Sequence, residues 1–175
     1  MSKENRYIIT GGPGSGKSSL LNALKQEGYN GFEEISRVVI REQHEINGDK
    51  LPWKNLKDFA EICFERMSLQ LNECNSFMPC FYDRGLPDII AYMRRGGLHV
   101  PEKFFSKCKE YNTIVFIATP WKDIYINDDE RPESFEDSLE IYQFLKDTYA
   151  ELEFEIIELP FVSISERVKF IQSYI

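Results

Sequence analysis

The sequence predicts an α/β protein: a five-stranded parallel sheet with helices on both faces. Short continuous apolar runs alternate with amphipathic helical segments along the chain. The first apolar run ends in a glycine-rich loop that opens directly into a helical segment. No repeat, linker or low-complexity stretch interrupts the alternation, so one domain over residues 1–175 is expected. Strands buried on both faces read as unbroken apolar runs rather than as in-out alternation, and parallel neighbours require helical crossovers, right-handed by rule.

Tyr7-Ile8-Ile9-Thr10 is the first expected strand, ending at glycines. Ser18 to Glu27 follows as a helix with Leu20, Leu21 and Leu24 on one face and Gly28 as its stop. Gly31 to Glu34 is a short second strand and Ser36 to Glu45 a second helix. Asn47-Gly48-Asp49 is a turn. Trp53 to Cys74 has the length and spacing of a long helix, with Phe59, Ile62, Phe64, Met67 and Leu71 for packing. Pro79 to Tyr82 is the third strand. Pro87 to Met93 is a brief helix that stops at Gly96-Gly97, and Pro101 opens another to about Tyr111. Thr113 to Ala118 is the clearest buried strand. Lys122 to Pro132 is polar and is expected to be a loop. Ser134 to Asp137 is a capping box for a helix to about Tyr149. Glu155 to Leu159 is the fifth strand, and Ser163 to Glu166 caps a last helix to Ile175.

Composition narrows the function. Hydrophobic residues make up 42%, against disorder, and the net charge is −8. Sequence-independent nucleic-acid binding needs many Lys and Arg contacts to phosphates and is not expected. A locally positive pocket for a small polyanion remains compatible with an acidic protein. No apolar run approaches the ~20 residues that span a bilayer, and Met1 to Arg6 lacks the apolar stretch of a secretory signal, so a cytoplasmic location is expected. Cys63, Cys74, Cys80 and Cys108 show no CxxC pairing and are expected to be reduced thiols, mostly in the core. His44 and His99 lie far from them in sequence and are expected to be surface or structural, which argues against zinc.

The glycine-rich loop carries the chemistry. Gly11-Gly12-Pro13-Gly14-Ser15-Gly16-Lys17-Ser18 fits G-x-x-x-x-G-K-[ST], with Ser19 next in line. Glycines let backbone N–H groups converge on an anion, and the following helix adds partial positive charge at its N-terminus. Lys17 is a point charge for the β- and γ-phosphates, and the Ser18 hydroxyl is a magnesium ligand. The expected cofactors are therefore a purine nucleoside triphosphate, ATP by preference, and Mg2+. The loop does not read the base. GTP is disfavoured because the chain has no N-K-x-D: Asn55-Leu56-Lys57-Asp58 lacks the spacing and falls in a helix.

Other polar residues gather where strands end, which is where parallel sheets bind ligands. Asp83 closes an apolar strand and suits magnesium; alternatively it caps the helix near Pro87. Arg84 follows and is placed to reach a phosphate, and Gly85 allows a sharp exit. Glu34 follows strand two and suits a base for an acceptor hydroxyl or a holder of metal-bound water, or simply the acid a helix start favours. Arg37 is one turn on, placed to pair with Glu34 or a substrate anion. Arg131 sits in the acidic stretch Asn127 to Glu133, either as a lid arginine reaching the transferring phosphoryl group or as a solvated charge. Trp53 is a core anchor or a ring that stacks on substrate.

With these residues assembled, the chain resembles, end to end, a family of small bacterial AAA-type ATP-binding proteins. These are related to the kinase domain of nicotinamide riboside kinases and more distantly to deoxynucleoside and thymidylate kinases. The resemblance lies in TGGPGSGKSSL, in Glu34-Ile35-Ser36-Arg37, in the Asp83-Arg84-Gly85 step of a DRGxPD segment, and in Asp128 to Phe135. It implies a three-layer P-loop NTPase fold with strand order 2-3-1-4-5, magnesium on Ser18 and Asp83, substrate phosphate at Arg84, a base at Glu34 and a lid arginine at Arg131. It also implies a nucleobase near Pro160 to Ser163. Deoxynucleoside kinases follow their strand-two Glu with proline, where this chain has Ile35, and their lids carry several arginines, so their nucleoside preferences do not carry over. No arginine-finger or sensor region follows the fifth strand. The expected partners are a nucleotide and a small hydroxylated, nucleoside-like acceptor. An ATPase, or a regulatory module binding nucleotide or phospholipid, is the alternative.

Overall fold

The computed structural model describes residues 3–74, 77–124 and 134–175. Its five strands form one parallel sheet: β1 (Arg6–Gly11), β2 (Asn30–Phe32), β3 (Cys80–Asp83), β4 (Ile114–Ala118) and β5 (Glu155–Leu159). The order is β2-β3-β1-β4-β5, as the sequence predicts. Helices α1 (Lys17–Gln26) and α7 (Ile164–Gln172) cover one face. The other face carries α2 (Ile35–Glu45), α3 (Leu56–Glu73), α4 (Leu86–Arg95), α5 (Glu102–Cys108) and α6 (Phe135–Glu151).

The strand period of two sets this three-layer arrangement. Ile8, Tyr82, Val115 and Ile117 point into a core shared with α2 to α6. Tyr7, Ile9, Phe81 and Phe116 point the opposite way, against Leu20, Leu21 and Leu24 of α1 and Val168 and Ile171 of α7. Ile8 and Ile9 have no exposed surface, and each fully buried side chain of this size contributes about 1.5–3 kcal/mol. β1 lies between β3 and β4, so the ends of β1 and β3 meet in the middle of the sheet.

Local signals set the element boundaries. The predicted boxes close: Ser134 Oγ accepts the Asp137 N–H at 3.1 Å, and Ser163 Oγ accepts the Glu166 N–H at 3.3 Å. The long third helix begins at Leu56 rather than Trp53, because Leu51 to Lys54 turn on themselves and Asn55 caps the helix by accepting the Asp58 N–H. That cap accounts for the Asn55-to-Asp58 string. No helix among the described residues is long and apolar enough to cross a membrane.

The cysteine expectation requires correction. Cys74 and Cys80 are joined by a disulfide, their Cα atoms 6.0 Å apart, linking the end of α3 to the start of β3. A helix end and a strand start brought together by a tight return carry no CxxC signal. Cys63 and Cys108 are free and buried as expected, and burial pushes both thiols up, that of Cys108 to about 12. Alkylation of denatured, non-reduced protein should therefore label two cysteines and, after reduction, four. Intact mass spectrometry reads the difference, and four labels without reduction would disprove the bond.

Candidate active site

β1 ends at Gly11 and α1 begins at Lys17, and the loop between them turns back on itself. Gly16 takes φ 81°, where L side chains are strained, and a Cβ on Gly11 would strike the Ala118 carbonyl. Leu20 is the first residue of the helical ladder, donating to the Gly16 carbonyl at 3.1 Å. The N–H groups of Lys17, Ser18 and Ser19 therefore lie in the first turn, before that ladder begins. The Lys17 ammonium is buried and donates to the Gly12 carbonyl at 2.7 Å and to Ser15 Oγ at 3.3 Å, so it arches over its own loop. Pro13 and Gly14 complete the turn.

Ser18 Oγ donates to Asp83 Oδ2 at 2.9 Å, joining the loop to the end of β3. Asp83 is 3% exposed, and its Oδ1 is buried without a hydrogen-bond partner. Burial holds its carboxyl above the usual range, the nearby Glu34 carboxylate adds to this, and Lys17, Arg84 and Ser18 offset only part. A hydroxyl and a carboxylate with an uncommitted oxygen suit a small hard cation that keeps water in its shell. Among the described residues no group of three or more His, Cys, Asp or Glu side chains could hold a metal. Such an ion would thus share these two donors with phosphate oxygens and water.

Arg84 is the turning point after β3. Its backbone takes φ 69° and its N–H donates to the Ile9 carbonyl at 2.9 Å. The sharp exit thus falls on Arg84 and not on Gly85, which is extended; Gly85 matters because a Cβ there would strike the Ile8 side chain. The guanidinium is fully buried. Nε donates to Glu34 Oε1 at 3.0 Å and Nη1 to Asp88 Oδ1 at 3.1 Å. Glu34 Oε1 also accepts Ser36 Oγ at 2.5 Å. Burial opposes the Arg84 charge, but the surrounding anionic groups outweigh it and keep the guanidinium protonated.

Asp88 binds this cluster together, and sequence reasoning assigned it no role. Its Oδ1 accepts Thr10 Oγ1 at 2.5 Å as well as Arg84; its Oδ2 accepts the Gly85 N–H at 3.0 Å and the Tyr149 hydroxyl at 2.6 Å. Asp88, not Asp83, caps α4. The local signal was present: an acid three residues after a glycine at a helix start, within the DRGxPD segment. Arg167 was also missed. From α7 it donates Nη1 to the Ser15 carbonyl at 3.1 Å and Nε to the Pro160 carbonyl at 2.9 Å, and lies 5.4 Å from the Trp121 ring centroid. A basic residue in an amphipathic helix gave no hint of this reach.

Two pockets flank the cluster. One, of about 330 Å³, lies beside Gly16 and Ser19 under Trp121, Val162, Ser163 and Arg167, at the segment expected to meet a nucleobase. The other, of about 560 Å³, opens on the far side, with Arg84 and Asp88 in its wall. Arg37 sits in the first turn of α2, and His44 and His99 are exposed. Arg131, with Asp128, Asp129 and Glu130, lies outside the described residues.

An AAA domain family model matches residues 6–167. The chain belongs to this AAA domain family. No curated protein sequence matches it. Among solved structures, the deoxyadenosine kinase of M. mycoides bound to dATP is similar over 97% of this chain and 98% of its own, at 17% identity and a TM-score of 0.57. NadR in complex with NAD and AMP-PNP gives a TM-score of 0.66 at 16% identity, covering 97% of this chain and 49% of NadR. Thymidylate kinase from Candida albicans gives 0.62 at 14%, covering 98% and 91%. At these identities the likeness establishes the fold, that of P-loop kinases.

Two stability measurements test this geometry. Asp88→Ala leaves the buried Arg84 with Glu34 alone and takes the acceptor from Thr10, Gly85 and Tyr149, and should cost about 3–5 kcal/mol in chemical denaturation, whereas Tyr149→Phe removes one hydrogen bond and should cost about 1–2 kcal/mol. Equal, small losses would disprove the network. For Asp83 the folded carboxyl titrates above its unfolded value, so its charge at neutral pH opposes folding. Asp83→Asn should raise Tm in EDTA, and a lowered Tm would show that the charge is already compensated.

Proposed function

We propose that this chain binds ATP with Mg2+ and transfers the γ-phosphoryl group to a small hydroxylated acceptor. The observation that supports this best is the meeting of two half-sites at the ends of β1 and β3. The phosphate loop with Ser18 and Asp83 lies on one side, and Glu34 and Arg84, backed by Asp88, lie on the other, beside a pocket large enough for a small molecule.

In this reading Gly11 to Ser19 hold the triphosphate through backbone N–H groups, and Lys17 exchanges its neutral contacts for charged phosphate oxygens, which bind it more strongly. Ser18 and Asp83 hold magnesium, which supplies charge neutralisation on the phosphates when bound. The acceptor oxygen attacks the γ-phosphorus, the bond to the β,γ-bridging oxygen breaks, and the acceptor proton passes to Glu34. Arg84 positions Glu34 through Nε and stabilises charge on the reacting groups. Arg131, outside the described residues, is the candidate to reach the transferring phosphoryl group. The relatives named above bind dATP, NAD and AMP-PNP, which favours an adenine nucleotide. Both half-sites lie in the one domain proposed for residues 1–175. Dependence on ATP places the proposed activity in the cytoplasm.

Purified protein with ATP, Mg2+ and a panel of small alcohols tests the reading by ADP release. Acceptor-dependent release supports it; acceptor-independent release makes the protein an ATPase, and tight nucleotide binding without release makes it a binding module. Lys17→Ala should lower turnover at least about 100-fold. Glu34→Gln should lower transfer comparably while leaving nucleotide affinity within about twofold; wild-type turnover in that variant removes Glu34 from the chemistry.

A further inference from the structure

We propose that the Arg95–Glu140 pair tunes the 560 Å³ pocket for an uncharged, ring-bearing alcohol and turns away its phosphorylated form. This rests on the phosphotransfer reading and adds the charge class of the acceptor. The pocket lies between α2, α3, α4 and α6, and its volume falls within the range of about 300–1,000 Å³ typical of small-molecule sites.

Its walls suit a flat ring. Trp53, Phe59, Tyr92 and Phe144 line it, joined by Ile40 and Ile89. Trp53, in the turn before α3, is 57% exposed and Phe144, on α6, is 39% exposed. Large aromatic faces left open to water at the mouth of a cavity mark a place where a ring can stack.

Its charges are already matched. Two cations and two carboxylates belong to the described lining: Arg84 and Arg95, Asp88 and Glu140. Arg84 is committed to Glu34 and Asp88, with the Asp83 carboxylate close behind. Only its buried Nη2 lacks a hydrogen-bond partner. That nitrogen, set among Glu34, Asp83 and Asp88, can donate to a neutral oxygen such as a hydroxyl that reaches it, and the anionic surroundings oppose a further negative group. At the rim, Arg95 Nη2 lies 3.4 Å from Glu140. A phosphomonoester entering here brings about two negative charges and meets a cation already paired. An uncharged nucleoside brings a ring for Trp53 and Phe144 and a hydroxyl for Arg84.

Calorimetry with thymidine and 2′-deoxyadenosine against their 5′-monophosphates, without ATP, tests this independently of turnover. Nucleosides should bind at least tenfold more tightly than their monophosphates. Trp53→Ala and Phe144→Ala, both at exposed positions, should each weaken nucleoside binding about tenfold. Glu140→Gln unmasks Arg95 and should strengthen monophosphate binding at least about fivefold, with nucleoside binding changed less than twofold. Monophosphates binding more tightly to the wild type, or unmoved by Glu140→Gln, overturn the proposal, as does the absence of binding by either class. Nucleoside binding without phosphoryl transfer would leave this inference standing and remove the phosphotransfer reading; transfer to an anionic acceptor would do the reverse.

Discussion

The carboxylate of Asp88 holds the candidate site in register. It accepts four hydrogen bonds from three directions: Thr10 at the end of β1, Arg84 and Gly85 in the turn after β3, and Tyr149 from α6. Each donor is buried with it. A carboxylate out of water is tolerated only when its lone pairs are met in this way. The same bonds keep Arg84 in a left-handed backbone conformation, which costs a non-glycine residue on the order of 1 kcal/mol or more. Arg84 in turn fixes Glu34. The position of the candidate base thus traces back, through one guanidinium, to a carboxylate whose two oxygens are committed to protein donors.

Charge at the centre is deliberately out of balance. Glu34, Asp83 and Asp88 face Lys17 and Arg84, three carboxylates against two cations, all buried. Asp83 shows the cost, since its carboxyl is held above the usual range by burial and by the Glu34 carboxylate. A cation bound at Ser18 and Asp83 would relieve that repulsion, so ligand binding and folding are linked through a single residue. The phosphate loop is anchored from elsewhere. Arg167 ties Ser15 to Pro160, joining the loop to the segment after β5 and to Trp121. The candidate phosphate loop and the pocket proposed for a base therefore share one side chain.

The fold was legible because its signals are local. Strand length, apolar continuity, capping boxes at Ser134 and Ser163 and the phosphate-loop string each lie within a few residues of sequence, and the sheet order follows once that string is placed. Lys17, Ser18, Glu34, Asp83 and Arg84 were legible as candidates for the same reason: each stands at the end of a strand or the start of a helix. What sequence could not give was long-range partnership. Thr10 meets Asp88 across 78 positions, Tyr149 across 61, and Arg167 meets Ser15 across 152. The start of α3 was misplaced because the Leu51 to Lys54 turn has helix-like apolar spacing, and the Cys74–Cys80 bond was missed because proximity across a helix-to-strand return leaves no spacing rule.

Asp83 and Arg84 are adjacent in sequence and have partners on different sides of the site. Asp83, the last residue of β3, points to Ser18 and the phosphate loop; Arg84, turned by its positive φ, points to Glu34 and the wider pocket. A shift of the β3–α4 turn would therefore move both half-sites together. The hydrogen bond from the Arg84 N–H to Ile9 locks that turn to the central strand, and Gly85 has no room for a side chain against Ile8. In the proposed reaction, mutual placement of donor and acceptor would thus be set by the backbone of three consecutive residues packed on β1. A reaction that depends on bringing an oxygen to a phosphorus within a few tenths of an ångström needs such rigidity. Variation in the acceptor can then be accommodated in the α2, α3, α4 and α6 walls without disturbing the phosphate side.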